Sequence, residues 1–223
     1  HLQIFTAPTL FSETFRQVHH VLSQQYRVSI SDYDTPIFDD ASLVIIHNPN
    51  AVSASFSKAL DQYVMAGGST FWAMDPLTVW GNTGISTQTG LSDQLSQYGV
   101  SITNNLVVDP MASTAVFLDG TTQITATYPL WPKSIYFTKE HPIMQQFQSL
   151  TFPYVGPLTF IANSSVQQIG LAFSSPKATR FVAPYHLSPN QTFPTQPQQQ
   201  EMLVALLEGK FLSAFAKTGD GPN

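Results

Sequence analysis

Short apolar runs of β type alternate with segments of helical periodicity through the first half of the chain, and this alternation constrains the fold more than any other feature. Such an order is typical of a parallel sheet covered by helices. We therefore predict an α/β fold of flavodoxin-like or amidotransferase-like type, with a mostly parallel sheet, helices on both faces and an irregular β-rich second half. The predicted strands of the first half are Leu2–Thr6, Arg27–Ser31, Ser42–His47, Thr70–Met74 and Leu106–Val108.

Three helices are predicted between these strands. Ser12–Tyr26 has apolar residues at helical spacing, Ser53 can cap a second helix, and a shorter third helix covers Leu91–Tyr98. The second helix must turn directly into a strand at Gly67-Gly68, so at least one of these glycines should have a positive φ. Two right-handed crossovers predict the strand order 2-1-3-4, with the first strand central.

The character of the chain changes after Pro110, where prolines become frequent and β-branched runs shorten. We predict a parallel α/β core over residues 1–110, an irregular β-rich extension over 111–217 that packs on the same core, and a flexible tail over 218–223. Helical periodicity returns at Glu201–Leu207, after a Pro/Gln-rich stretch predicted to be an exposed loop, Ser188–Gln200. The short strands predicted in the extension are Ala115–Leu118, Gln123–Ala126, Leu158–Ile161, Gln168–Phe173 and Arg180–Ala183.

Charge and cysteine content exclude several classes of function. Only 10% of the residues are charged, the net charge is -5 and no Lys/Arg cluster occurs, so the basic footprint of a nucleic-acid partner is missing. The absence of cysteine rules out disulfides, thiolate zinc sites and cysteine nucleophiles. The scattered histidines have no metal-ligand spacing, and we expect neither metal nor cofactor. No apolar run reaches the ~18 residues that cross a bilayer, so we expect membrane contact only through segments outside this chain.

Polar residues that follow the predicted strands are the candidate ligand-binding residues. Ligands of open parallel sheets bind beyond the carboxyl ends of the strands. His47 ends one predicted strand and Asn48 and Asn50 follow it, Asp75 follows another strand, and Asp109 follows a third. If the sheet is parallel, they should lie on one rim. The alternative is that these residues are ordinary turn formers.

Aromatic residues beside prolines are a second candidate surface. Trp131 and Tyr154 belong to the segments Tyr128–Pro132 and Phe152–Tyr154, which we predict to be loops. They could form a recognition face for a sugar or peptide, or close a small core. No nucleophile with a base is recognisable, since Gly84–Gln88 lacks the second glycine of a nucleophile elbow. We predict no catalytic residues.

Several short motifs follow one another along the chain. The longest is Ala59–Gly68, which is followed by a strand and by Asp75-Pro76. The others are Gln97–Val100, Val107–Pro110, Tyr128–Pro132, His141–Ile143, Glu208–Phe211 and Ser213–Phe215. In this order they resemble the GldG-like, gliding-motility type of ABC transporter auxiliary component family.

The resemblance implies a non-catalytic auxiliary or binding subunit of an ABC-type transport system, at the extracytoplasmic, periplasmic face of the bacterial inner membrane. The implied partners are membrane ABC transporter subunits or other envelope proteins. The family offers no established catalytic residues to carry over. Two alternatives stay open. One is a hydrolase or small-ligand-binding enzyme of amidotransferase-like fold. The other is a solute-binding protein with a cleft between two lobes, although the second half is short and irregular for a matching lobe.

Overall fold

The computed structural model describes residues 1–7, 13–119, 122–163 and 165–216, and within them the protein is mostly β. The described structure is 39% strand and 15% helical, and several sheets are antiparallel. The predicted flavodoxin-like, mostly parallel α/β class is therefore wrong for the protein as a whole. The physical reason is that the long helical segments end with the third helix. The apolar runs that follow pair as antiparallel neighbours without helical crossovers.

The chain forms two compact units, each assembled from segments that are distant in sequence. The first unit comprises His1–Met74, Gln88–Tyr98 and Gly209–Asn223, and the second comprises Asp75–Thr87 and Gly99–Glu208. The boundaries proposed from the sequence at residues 110 and 217 stay a prediction. The predicted flexible tail over 218–223 lies outside the described residues.

The first unit contains a four-stranded parallel sheet. Its elements are β1 Leu2–Thr6, α1 Glu13–Ser23, β2 Val28–Ser31, β3 Leu43–His47, α2 Ala54–Met65, β4 Ser69–Ala73 and α3 Ser92–Tyr98. The strand order is β2-β1-β3-β4, and all three neighbouring pairs are parallel. The predicted order 2-1-3-4 is confirmed for these strands, and right-handed crossovers then put the two connecting helices on opposite faces.

Helix α2 is fixed by its caps and by one apolar face. The Ser53 side chain accepts a hydrogen bond from the Phe56 N–H at 3.2 Å, which satisfies one of the amides left free at the helix start. Phe56 and Leu60 pack with Phe5 of β1 in the buried core of this unit. At the other end Gly67 has a φ of +92°, so the predicted positive φ at Gly67 or Gly68 is confirmed.

A Gly67→Ala variant should lower the free energy of unfolding by about 1 kcal/mol, because alanine is strained in the left-handed conformation. A Cβ at this position would meet no atom within 4 Å, so the cost is one of backbone strain alone. Chemical denaturation measures it. Gly68→Ala is the matched comparison, since its Cβ would clash with the Tyr63 ring and should cost more. An unchanged denaturation midpoint for Gly67→Ala would contradict the assignment of Gly67 as the left-handed residue that ends α2.

The second unit contains several small sheets. Their strands are β5 Leu77–Trp80, β6 Thr83–Ser86, β7 Val100–Ile102, β8 Leu106–Val108, β9 Ala112–Asp119, β10 Thr122–Ser134, β11 Tyr136–Phe137, β12 Leu150–Thr151, β13 Leu158–Phe160, β14 Val166–Phe173, β15 Thr179–Phe181, β16 Tyr185–His186 and β17 Met202–Gly209. The sheet orders are β16-β6-β5, β12-β10-β9, β15-β8 and β11-β14-β17-β13-β7. Strand pairs such as β5–β6, β7–β13, β8–β15 and β9–β10 are antiparallel.

Three predictions for this unit are corrected. Leu106–Val108 is a strand, but it pairs antiparallel with β15 and is outside the parallel sheet. Glu201–Leu207 is not helical, because its apolar residues belong to β17 inside a five-stranded sheet. Tyr128–Pro132 is not a loop but part of β10, whose register with β9 shifts between Thr127 and Pro132. Prolines are tolerated at such irregular positions of a strand.

Candidate functional site

The carboxyl ends of β1 and β3 bring together three polar side chains in the first unit. Thr6 ends β1 and His47 ends β3, and a hydrogen bond of 2.9 Å joins Thr6 Oγ1 to His47 Nδ1. The Tyr33 hydroxyl donates to the backbone oxygens of Phe5 at 3.2 Å and His47 at 2.9 Å. Burial raises the pKa of Tyr33 far above its ordinary value, so the phenol stays protonated and remains a donor.

The turn after β3 contains two residues with left-handed backbone conformation. Asn48 has a φ of 44° and Ala51 a φ of 49°. Asparagine tolerates this region, but alanine does so only with strain. The strained turn is held by backbone bonds from Ala51 N–H to Gln88 O at 2.7 Å and from Val52 N–H to Thr89 O at 3.2 Å. Strained residues often mark functional positions, and the exposed Asn50 lies within this turn.

A buried carboxylate that the sequence analysis did not select belongs to α2, in the first unit. Asp61 is 2% exposed and accepts hydrogen bonds from Tyr98 Oη at 2.9 Å, Ser213 Oγ at 2.6 Å and the Ala214 N–H at 2.9 Å. Burial raises the pKa of Tyr98, which keeps its hydroxyl a donor. No local sequence signal marks this burial, because an acidic residue on a helix usually faces solvent.

Asp109 and Asp75 belong to the second unit. The Asp109 carboxylate is buried, and it accepts hydrogen bonds from the Met111 N–H at 2.8 Å and from both the N–H and the hydroxyl of Ser175 at 2.7 Å. These bonds connect the end of β8 to the turn between β14 and β15. Asp75 is exposed and has an interaction partner. Asn48 and Asn50 lie in the other unit, so the expected common rim stays a prediction.

Trp131 and Tyr154 take part in an aromatic cluster around the buried Tyr128. Ring centroids lie 6.3 Å apart for Trp131 and Tyr128, 6.1 Å for Tyr154 and Tyr128, and 5.9 Å for Phe193 and Tyr128, all in edge contacts. Trp131 and Tyr154 are half-buried, and Tyr154 has a φ of 54°. Trp131 Nε1 is buried without a hydrogen-bond partner among the described residues. Edge contacts of this kind are typical of a packed aromatic core.

The described residues contain no group of three or more His, Cys, Asp or Glu side chains that could hold a metal ion. Within the same part of the chain, none of the helices is long and apolar enough to cross a membrane. The chemistry that these sites offer is hydrogen bonding by Thr6, His47, Asn48 and Asn50, and contact with aromatic side chains.

Residues 4–223 match the family model described as "ABC-type uncharacterized transport system". An "uncharacterized protein" of Borreliella burgdorferi is 23% identical over 166 residues, which cover 70% of this chain and 32% of the relative. The chain thus spans about a third of the length of that relative.

Two solved structures align with the chain at low TM-scores. A ThuA-like protein from Bacteroides uniformis has a TM-score of 0.47 at 15% identity, covering 79% of this chain and 67% of its own. The β-galactosidase from Bifidobacterium adolescentis has a TM-score of 0.29 at 14% identity, covering 84% of this chain and 91% of its own.

Proposed function

The chain belongs to the family of ABC-type uncharacterized transport systems, and from this premise we propose that it is a non-catalytic auxiliary or binding subunit of such a system. The match over residues 4–223 is the observation that carries the proposal. We further propose that it acts at the extracytoplasmic, periplasmic face of the inner membrane and contacts membrane ABC transporter subunits or other envelope proteins. A role related to gliding motility is the narrowest form of this proposal.

The environment of the carboxyl ends of β1 and β3 supports a binding role over a catalytic one. Thr6 is only 2% exposed, and its hydroxyl is already engaged by His47. A nucleophile has to reach its substrate. The turn with Asn48 and Ala51, in contrast, presents the exposed Asn50 on a backbone held by two hydrogen bonds. A rigid turn loses little conformational entropy on binding, and we propose that it contacts the transporter.

We expect the full-length protein, purified by affinity from its native membranes, to bring along ATPase or permease subunits of an ABC transporter, identified by mass spectrometry. An Asn50→Arg variant should reduce this capture about tenfold, because a bulky charge on the turn opposes a close contact. The matched control is Asn190→Arg, which changes an exposed asparagine of the second unit and should capture as much as the wild type.

The outcome that contradicts the proposal is equally concrete. If no ABC transporter subunit is enriched, the auxiliary role is wrong for this protein. If subunits are enriched equally with Asn50→Arg and the wild type, the auxiliary role stands and the turn is not the contact surface.

The second candidate function is a hydrolase or small-ligand-binding enzyme, and the hydrogen bond between Thr6 and His47 is the observation that favours it. A hydroxyl beside an imidazole is the arrangement of an activated nucleophile. Turnover of ester, amide or glycoside substrates that is abolished by Thr6→Val and by His47→Gln would overturn the non-catalytic proposal. Melting curves must first show that both variants are folded, since Thr6 is buried.

A further inference from the structure

The β5–β6 hairpin of the second unit has the most exposed large apolar side chain among the described residues. Trp80 is 79% exposed and Ile85 is 61% exposed. Strand register pairs Thr78 with Ile85 and Trp80 with Thr83, so these four side chains share one face of the sheet. His186 of β16 pairs with Thr83 and lies on the same face. All five residues are exposed, and this face of the sheet is therefore open.

The outer edge of β5 is open as well. β5 is the last strand in the order β16-β6-β5. Gly81, with a φ of 57°, begins a two-residue turn of type II′, and the flanking Trp80 and Thr83 form a hydrogen-bonded pair. Such pairs alternate with non-hydrogen-bonded ones. The N–H and C=O of Val79 therefore point away from β6, and no partner for them occurs in the described part of the chain.

This edge has none of the chemical features that usually prevent edge strands from pairing. Natural proteins place charged side chains, prolines or β-bulges on such strands. Leu77–Trp80 contains no charged residue and no proline, and its register with β6 is regular from Leu77 to Trp80. An unprotected edge beside an exposed tryptophan indicates an interaction surface.

The charge of this sheet indicates which partner it fits. Strands β5, β6 and β16 contain no Asp, Glu, Lys or Arg, whereas the chain as a whole has a net charge of -5. Two copies of an acidic protein repel each other, and an uncharged patch is where they can meet without like charges in contact. An isologous two-fold interface joins the same patch on both subunits, so a neutral edge is complementary to itself.

We propose that the open edge of β5 pairs with β5 of a second copy of this chain, around a two-fold axis at Val79. The two Val79 residues exchange two N–H···O=C hydrogen bonds, and the two three-stranded sheets become one sheet of six strands. Trp80 of each copy then lies opposite Thr78 of the other and covers it. This inference goes beyond the transport role and does not depend on it.

Sedimentation velocity over a concentration series tests the pairing. The wild-type chain should show a monomer–dimer equilibrium, and Val79→Pro should raise the dissociation constant at least about tenfold, because proline removes the outward N–H without breaking a bond to β6. Trp80→Lys, which changes no backbone group, should act in the same direction. The control Val116→Lys replaces a valine of β9 that is 56% exposed, and it should dimerise like the wild type.

Disulfide trapping gives an independent readout, because the natural chain has no cysteine. Val79→Cys places two thiols on residues whose Cα atoms are about 5.5 Å apart in a hydrogen-bonded antiparallel pair, a distance that a disulfide spans. Mild oxidation should yield mostly covalent dimers, whereas Val116→Cys should stay monomeric. A wild-type chain that is monomeric throughout the series overturns the proposal. So does a dimer in which Val79→Cys forms no more disulfide than the control.

Discussion

Replacing Trp131 by alanine is expected to lower the free energy of unfolding by roughly 3 kcal/mol, the lower end of the range for emptying an aromatic core site. Trp131 is half-buried, and its ring contacts Tyr128 and Tyr154 edge-on at centroid distances of 6.3 and 6.4 Å. Tyr128 in turn lies in the core cluster with Leu130 and Leu187. Removing the indole therefore opens a space beside the Tyr128 and Tyr154 rings. Chemical denaturation of the variant and the wild type measures the loss.

Trp131→Phe is the control that separates packing from binding. It keeps one, smaller aromatic ring in the cluster and removes the Nε1–H, which has no hydrogen-bond partner among the described residues. We expect it to cost less than about 1.5 kcal/mol. If Trp131→Ala is as stable as the wild type, the cluster is not a core. If Trp131→Phe is stable but fails to capture transporter subunits, Trp131 is a binding residue.

Asp61→Ala is expected to lower the free energy of unfolding by about 3 kcal/mol, because it leaves buried donors without an acceptor. The donors are the hydroxyls of Tyr98 and Ser213 and the N–H of Ala214. The last two belong to the segment after Gly209, which this carboxylate holds against α2. Loss of the carboxylate should therefore also increase hydrogen exchange at the Ala214 amide, which nuclear magnetic resonance detects.

Two variants control for this effect. Asp93→Ala removes an exposed carboxylate of α3 and should change stability by less than about 0.5 kcal/mol. Ser213→Ala removes a single donor and should cost about 1 kcal/mol. Equal stability of Asp61→Ala and Asp93→Ala would show that the buried hydrogen bonds of Asp61 do not stabilise the first unit.

The part of the fold that could be predicted from the sequence is marked by residues that lie close to the elements they define. The Ser53 cap and Gly67 mark both ends of α2 within a few residues of the helix itself. The order of β1 to β4 follows from the handedness of short crossovers. The rule that ligands bind beyond strand ends also selected Asn48 and Asn50, which lie in the strained turn after β3.

The predictions failed where a segment depends on a distant partner. Glu201–Leu207 has apolar residues that fit a helix or a strand, since short apolar runs do not distinguish the two. It becomes β17 because its neighbours in the sheet, β13 and β14, lie far earlier in the chain. Leu106–Val108 was correctly predicted as a strand, but its antiparallel partner β15 is some seventy residues away in sequence.

The residues of the candidate site likewise include some that local sequence selects and others that only distant contacts reveal. Residues next to strand ends can be selected from a sequence. The burial of Asp61 cannot be predicted in this way, because an acidic residue on a helix usually faces solvent. Its three donors come from positions 98, 213 and 214. Asp109 was selected as a strand-end residue, but only the structure shows that its carboxylate is bonded to Ser175, 66 positions away.

By itself, the sequence determined the parallel strands, the ends of α2 and the family of the chain, because strand and helix periodicity, capping residues and short motifs act over a few neighbouring positions. Only the tertiary structure decided that the protein is mostly β, that Asp61 is a buried acceptor and that the β5 edge beside Trp80 is open. Burial and strand pairing depend on contacts between residues that are far apart along the chain, and a local pattern does not specify those contacts.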